Sequence, residues 1–148
     1  MPSSFEVVTR ATVPPEALFD ASLSVDEHVT SLAHSGERAI AGVTVGTLGL
    51  GDVVTWRARH FGLWFTMTVR ITSLDRPYCF VDEQQRGPFK VFRHEHTFAR
   101  DGGETVMTDR ITVASPVFGR LAERLVLVPY LRRLICTRNA HLVATVTS

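Results

Sequence analysis

The sequence has 148 residues, of which 45% are hydrophobic and 21% charged, and its formal net charge is +1. This length suits a single domain over residues 1–148 that needs no disulfide or metal to fold, and the composition excludes a disordered or fibrous chain. The basic residues are scattered singly and form no phosphate-binding stripe, so we expect no nucleic-acid partner.

The amino-terminal third predicts one strand and two short helices. Residues 5–12 alternate as a strand, and the prolines that follow end it and favour a helix over residues 16–21. Ser24, with Glu27 three residues later, forms the capping-box pattern of a second helix. Residues 36–51 contain five glycines, which predicts a strand and a loop in place of another helix.

The middle of the chain predicts an antiparallel meander. Residues 53–60 alternate, Phe61-Gly62 forms a turn, and residues 63–72 give the most regular alternation of the sequence. Three more strands are predicted over residues 78–85, 88–100 and 105–114, with turns at Arg86-Gly87 and Gly102-Gly103. The Gly-Gly pair is a strong hairpin signal, because glycine accepts the positive φ that such turns require.

The carboxy-terminal segment predicts one long helix. Ser115 and Pro116 supply a cap and a helix-initiating proline, and Pro129 is expected to kink the helix without ending it. Apolar residues recur at spacings of three and four: Phe118, Leu121, Leu125, Val128, Leu131, Leu134 and Ile135. The predicted opposite face is polar: Arg120, Glu123, Arg124, Arg132 and Arg138. A sheet this long must curl, and the apolar helix face is expected to fill its concave side.

The remaining features concern location and the cysteines. The amino terminus lacks the basic and apolar regions of a signal peptide, and the apolar run from Leu125 to Leu131 is too short for a membrane span. We therefore expect a cytoplasmic protein with no membrane span. Cys79 and Cys136 lie in apolar segments without metal-ligand spacing, which predicts two buried thiols.

Three segments carry a family resemblance: residues 80–84 (Phe-Val-Asp-Glu-Gln), 87–89 (Gly-Pro-Phe) and 92–98 (Phe-Arg-His-Glu-His-Thr-Phe). Together with the order of elements, they resemble a bacterial cyclase or dehydrase subgroup of the START-like (SRPBCC) superfamily. The resemblance implies an α+β helix-grip fold: a curved antiparallel sheet of six to seven strands around a long carboxy-terminal helix, with two short helices after the first strand. It also implies a deep cavity that works without a metal or other cofactor. The fold alone gives no reaction.

The Gly102-Gly103 hairpin predicts which side chains share the concave face. If these glycines are its two central residues, counting back in register gives three cross-strand pairs: Phe98 with Met107, His96 with Asp109, and His94 with Ile111. Because this face also carries the apolar residues Phe92 and Val113 beside Phe98, Met107 and Ile111, it is expected to line the cavity.

The polar members of this face admit three interpretations. The simplest is that His96 and Asp109 satisfy each other inside a half-polar cavity wall. In the second, Asp109 fixes the tautomer of His96, which acts as a general acid or base. In the third, His94 and His96 with Asp109 form a two-histidine, one-carboxylate metal set, an interpretation that the resemblance disfavours. Charged residues near the Arg86-Gly87 turn are expected on a solvated outer face: Asp82, Glu83, Arg93 and Glu95.

The sequence thus predicts binding of a small hydrophobic or aromatic molecule, such as a lipid, a fatty acid or a polyketide-like compound. The expected apolar contacts are Trp56, Phe65, Met67, Phe92, Phe98, Met107, Ile111 and Leu125, and the expected polar anchors are His94, His96 and Asp109. The alternative is a cyclase, aromatase or dehydratase-type enzyme using the His96–Asp109 pair. A third hypothesis, protein binding through the sheet edge or Trp64, predicts a filled interior. Tyr78 and Tyr130 are candidates to donate a hydroxyl hydrogen bond to a ligand carbonyl. The sequence suggests no partner for His28. Whether the protein forms a homodimer is left open.

Overall fold

The computed structural model describes residues 2–116 and 119–148, which form an α+β helix-grip fold. Its seven strands make one antiparallel sheet in the order β1-β7-β6-β5-β4-β3-β2. The strands are β1 (Ser3–Ala11), β2 (Arg38–Gly42), β3 (Val53–His60), β4 (Leu63–Asp75), β5 (Cys79–Arg86), β6 (Val91–Asp101) and β7 (Glu104–Ala114). The helices are α1 (Pro15–Ser22), α2 (Val25–Ser31), α3 (Arg120–Ala122) and α4 (Val128–Thr147). The predicted fold class is confirmed.

The two short helices follow β1 as their local sequence requires. Pro15 occupies the first turn of α1, where its missing N–H costs nothing. The Ser24 side chain accepts a hydrogen bond from the Glu27 backbone N–H at 3.2 Å, which confirms the predicted cap of α2. Leu18 and Phe19 of α1 are fully buried and pack in the larger core cluster. The helices therefore close one end of the sheet.

Irregularities in the strands bend the sheet around its concave face. The register between β4 and β5 shifts twice, at Thr68 and Val69 through an extra residue on β5 and at Ile71 and Ser73 through an extra residue on β4. Extra residues of this kind bend a strand and increase its twist. The β6–β7 register is as predicted, with Asp101 opposite Glu104. Gly102 has a positive φ of 62°, as predicted. Gly103 does not have a positive φ, so that part of the prediction is wrong.

The carboxy-terminal helix departs most from the predicted pattern. Its described part begins at Arg120, and residues Glu123–Leu127 form a π-helical segment before α4. Phe118 lies outside the described residues. The π segment immediately precedes Pro129, which has no N–H to continue the ordinary hydrogen-bond ladder. Because the extra residue rotates the helix face, Leu121 and Leu125 are exposed and Glu123 is buried, contrary to the prediction. Arg138, predicted on the polar face, is also buried.

Two further expectations concern membranes and thiols. In the described ranges, no helix has both the length and the apolar character that crossing a membrane requires. Both cysteines are free thiols, but Cys136 is exposed and Cys79 half-buried, so the prediction of two buried thiols is wrong. Burial of its side chain is nevertheless enough to raise the pKa of Cys79.

Candidate functional site

A cavity of about 290 Å³ lies between the concave face of the sheet and α4. It touches both core clusters, taking Trp56 and Phe80 from the larger one and Ile111 from the smaller one. From the helix, Leu131, Leu134 and Ile135 close it. The volume is close to the lower end of the range for small-molecule sites, about 300–1,000 Å³. The protein-binding hypothesis predicted a filled interior, and the cavity contradicts that prediction.

Seven of the predicted ligand-contact residues line this cavity: Trp56, Phe65, Met67, Phe92, His94, His96 and Ile111. Phe98 and Met107 are buried in the core outside the cavity lining. Leu125 is 67% exposed and its prediction as a lining residue is wrong, because the π segment turns it outward. Tyr78 is also exposed, whereas Tyr130 lines the cavity.

Asp109 is the centre of a buried polar group beside the cavity. Its Oδ1 lies 2.7 Å from His94 Nε2, and Asn139 Nδ2 donates to its Oδ2 at 2.7 Å. Arg138, also buried, donates to Oδ1 at 3.3 Å. Burial alone would raise the pKa of Asp109, but hydrogen bonds from His94 and the charge of Arg138 outweigh it and hold that pKa well below its usual range. Asp109 is therefore an ionised acceptor at neutral pH.

The ionised carboxylate fixes the state of His94. Burial, reinforced by the neighbouring His96, lowers the pKa of His94 to about 4 despite the opposing effect of Asp109. His94 is thus neutral near pH 7, and since Asp109 can only accept, His94 Nε2 carries the hydrogen. His94 Nδ1 is then a lone-pair acceptor.

His96 pairs with a different carboxylate from the one expected. In the sheet register it lies directly opposite Asp109, as predicted. Its Nε2, however, lies 2.8 Å from Asp82 Oδ2, while its Nδ1 is 3.2 Å from Asp109 Oδ1 and is directed so that no hydrogen bond forms. Burial would raise the pKa of Asp82, and the hydrogen bond from His96 with the nearby charges lowers it overall. The observed pairs are His94 with Asp109 and His96 with Asp82.

Asp82 lines the cavity, so its predicted place on a solvated outer face is wrong. A two-residue turn at Arg86-Gly87 would pair Gln85 with Pro88 and put Asp82 opposite Val91. The observed connection is longer and pairs Asp82 with His94, a shift of three residues. An odd shift moves every side chain of a strand to the other face. The Pro88 that follows Gly87 was the available signal that this turn is not a tight hairpin.

The geometry of the two histidines bears on the metal interpretation. Donor atoms of Asp82, His94 and His96 lie within 4.8 Å of one another, a set that differs from the predicted one by having Asp82 in place of Asp109. The two imidazole rings are stacked, with centroids 3.7 Å apart and planes 18° from parallel. A ligated metal lies in the plane of each ring, about 2.0–2.1 Å from its nitrogen. Two nearly parallel rings do not meet that condition for one ion, so this arrangement favours hydrogen bonding.

A second group of polar side chains lines the cavity beside β3: His28, Glu37, His60 and Tyr130. Of its members, sequence reasoning proposed only Tyr130 as a ligand contact. His28 Nε2 lies 3.0 Å from Glu37 Oε1, although no partner was predicted for His28. His60 Nδ1 lies 2.6 Å from the Tyr130 hydroxyl. These contacts join α2, the segment before β2, the end of β3 and α4. No sequence pattern relates such distant segments.

Comparison with known proteins agrees with this architecture. No family model matches the sequence, and no curated protein matches it. Among solved structures, the Zhui aromatase/cyclase from Streptomyces sp. R1128 has a TM-score of 0.77 at 14% identity, covering 99% of this chain and 94% of its own. TTHA0849 from Thermus thermophilus has a TM-score of 0.75 at 16% identity, covering 97% and 99%. Ara h 8.0201 has a TM-score of 0.73 at 15% identity, covering 99% of each chain. The chain has the START-like (SRPBCC) fold.

Proposed function

We propose that the protein binds a small hydrophobic or aromatic molecule in the cavity between the sheet and α4. The observation that carries this proposal is the combination of an apolar cavity with a buried polar group at one wall. Binding sites for small molecules commonly pair a largely apolar lining with a few fixed polar groups that orient the ligand. The polar wall here is held by three strands and the helix, so it is organised before any ligand arrives.

The polar wall favours a ligand that donates a hydrogen bond. His94 Nδ1 and the ionised Asp82 are acceptors, and both residues line the cavity. Arg138 also lines it, and its Nη1 already donates to Asp109 and Asn139. A hydroxyl or enol on an apolar body would fill this site without leaving the buried acceptors unpaired.

Native mass spectrometry of the purified protein, followed by a thermal-shift screen of lipids, fatty acids and aromatic polyols, tests the proposal. We expect a ligand that raises the melting temperature of the wild type and does so less in His94→Gln. His34→Gln is the matched control, because His34 is exposed and does not line the cavity. Failure of every apolar class to bind or stabilise the wild type would overturn the proposal.

A cyclase, aromatase or dehydratase-type activity is the second candidate, and the paired histidines and carboxylates favour it. The sequence assigned this role to His96 with Asp109, whereas the hydrogen bonds make His94 the imidazole oriented by Asp109. A base with a pKa of about 4 is about three units below pH 7. Accepting a proton there costs roughly 4 kcal/mol, far from the matched value that efficient general bases have. This mismatch is why binding is preferred to catalysis.

Turnover of a bound poly-β-keto thioester mimic, measured by liquid chromatography, separates the two candidates. An enzyme would lose about 10²-fold or more of its rate in His94→Gln while still binding the mimic. With a binding protein, the mimic would be converted no faster than in the uncatalysed reaction, whatever the protein concentration.

A further inference from the structure

Glu37 is a buried carboxylate at the opposite side of the cavity from Asp109. Its residue is 7% exposed, it lines the cavity, and its Oε1 lies 3.0 Å from His28 Nε2. A carboxylate offers about four acceptor positions. Within residues 2–116 and 119–148, no side chain donates a hydrogen bond to Glu37 Oε2. Glu37 therefore keeps acceptor capacity that a cavity ligand can use.

The neighbours of Glu37 are held in fixed positions. The His28 ring stacks on Trp56, with centroids 3.9 Å apart and an angle of 28° between the planes. Burial lowers the pKa of His60 and raises the pKa of Tyr130, so both side chains are neutral near pH 7 and share the hydrogen bond between His60 Nδ1 and the Tyr130 hydroxyl. Glu37, His60 and Tyr130 all line the same cavity as His28.

The distance between the two polar walls follows from the strand order. His60 lies on β3 and Glu37 immediately precedes the neighbouring β2, whereas His94 lies on β6, three strands from β3 in the sheet. Strands in a sheet are about 4.7–4.9 Å apart, so the three strand steps alone separate the two walls by about 14 Å along the sheet, and the offset of His60 along β3 adds to this. A single small polar group cannot reach both walls.

The charges around the cavity exclude one class of ligand. Three carboxylates in or beside its wall, Glu37, Asp82 and Asp109, face one guanidinium, that of Arg138, which is already paired with Asp109. Carboxyl groups thus outnumber the guanidinium three to one. Introducing a further carboxylate into this low-dielectric space is unfavourable. Fatty acids, which also have only one polar end, fit the cavity poorly.

We propose that His28, Glu37, His60 and Tyr130 form a second binding site, which accepts a hydroxyl at the far end of the ligand. The ligand is then an uncharged, largely apolar molecule with hydroxyl groups at both ends. One end binds beside His94 and Asp82, and the other binds beside Glu37. This inference rests on the proposed binding function and names its ligand class.

Fluorescence titration with three matched probes tests the second site: 2,6-dihydroxyanthracene, 2-hydroxyanthracene and lauric acid. We expect the wild type to bind the dihydroxy probe roughly tenfold or more tightly than the monohydroxy probe, because a hydrogen bond to a charged acceptor is among the stronger ones. In Glu37→Gln this preference should fall to about twofold or less, with the monohydroxy probe bound as before. Lauric acid should bind more weakly than either anthracene.

The control variants separate a binding role from a folding role. His34→Gln should keep the full preference, and Tyr130→Phe, which removes one hydroxyl, should reduce it without affecting the circular dichroism spectrum. Equal affinity for both anthracenes in the wild type would overturn the second site and leave the proposed function standing. Tighter binding of lauric acid than of the dihydroxy probe would likewise overturn the second site while the proposed function stands. Failure of all three probes to bind would overturn both.

Discussion

Replacing Asp109 by asparagine tests whether the buried polar group holds the fold together. The substitution keeps the size of the side chain but removes the charge that faces Arg138 and one acceptor for His94 or Asn139. Arg138 is left buried without its counter-ion, and breaking a buried pair in this way costs about 3–5 kcal/mol. For a domain of this size, that corresponds to a fall in melting temperature of roughly 6–20 °C.

Urea denaturation followed by circular dichroism measures the effect, and a double variant identifies its cause. Arg138→Met added to Asp109→Asn removes the unpaired charge, so the double variant should be more stable than the sum of the two single losses by at least about 1 kcal/mol. Asp101→Asn is the control, because its ion pair with Arg10 is exposed and contributes about 1 kcal/mol or less. Additive losses, or a loss below about 1 kcal/mol in Asp109→Asn, would refute the reasoning.

Three further predictions follow. The folded-state pKa of His94 is lowered from 6.5 to about 4, so between pH 6.5 and pH 4 the unfolded chain binds more protons than the folded one. The free energy of unfolding should therefore fall by about 3 kcal/mol from pH 6.5 to pH 4. In urea titrations, His94→Gln should reduce this pH dependence. Ala58→Leu, which fills the cavity, should weaken ligand binding at least about tenfold in fluorescence titrations; unchanged affinity would contradict the cavity as the site. Leu125→Asn should change stability by no more than about 0.5 kcal/mol by thermal denaturation, since Leu125 is exposed.

Local signals in the sequence were enough to predict most of the fold. The Ser24 cap, the alternation of β3 and β4 and the Gly102-Gly103 hairpin are each decided by a few neighbouring residues, and the structure bears them out. The hairpin also placed His94 and His96 on the face that lines the cavity. Where one turn fixes the register, the face of every residue in both strands follows.

The candidate site was predicted only in part, because its remaining members depend on contacts between distant segments. The register of β5 against β6 depends on a connection longer than the two residues assumed, and this register places Asp82 on the cavity face. The π segment before Pro129 cannot be read from a 3.6-residue period, so Leu125 was assigned to the wrong side. Glu37 meets His28 only once α2 and β2 have packed together.

The π segment gives the carboxy-terminal helix two independent attachments. Upstream, Glu123 accepts a hydrogen bond from Ser3 at the edge strand β1. Downstream, Asn139 and Arg138 hold α4 to Asp109 on β7, the strand next to β1. A single residue gained or lost between these anchors would exchange the leucines that line the cavity while both attachments persisted. The shape of the cavity can therefore diverge through helix length, without any change in the polar residues on its wall.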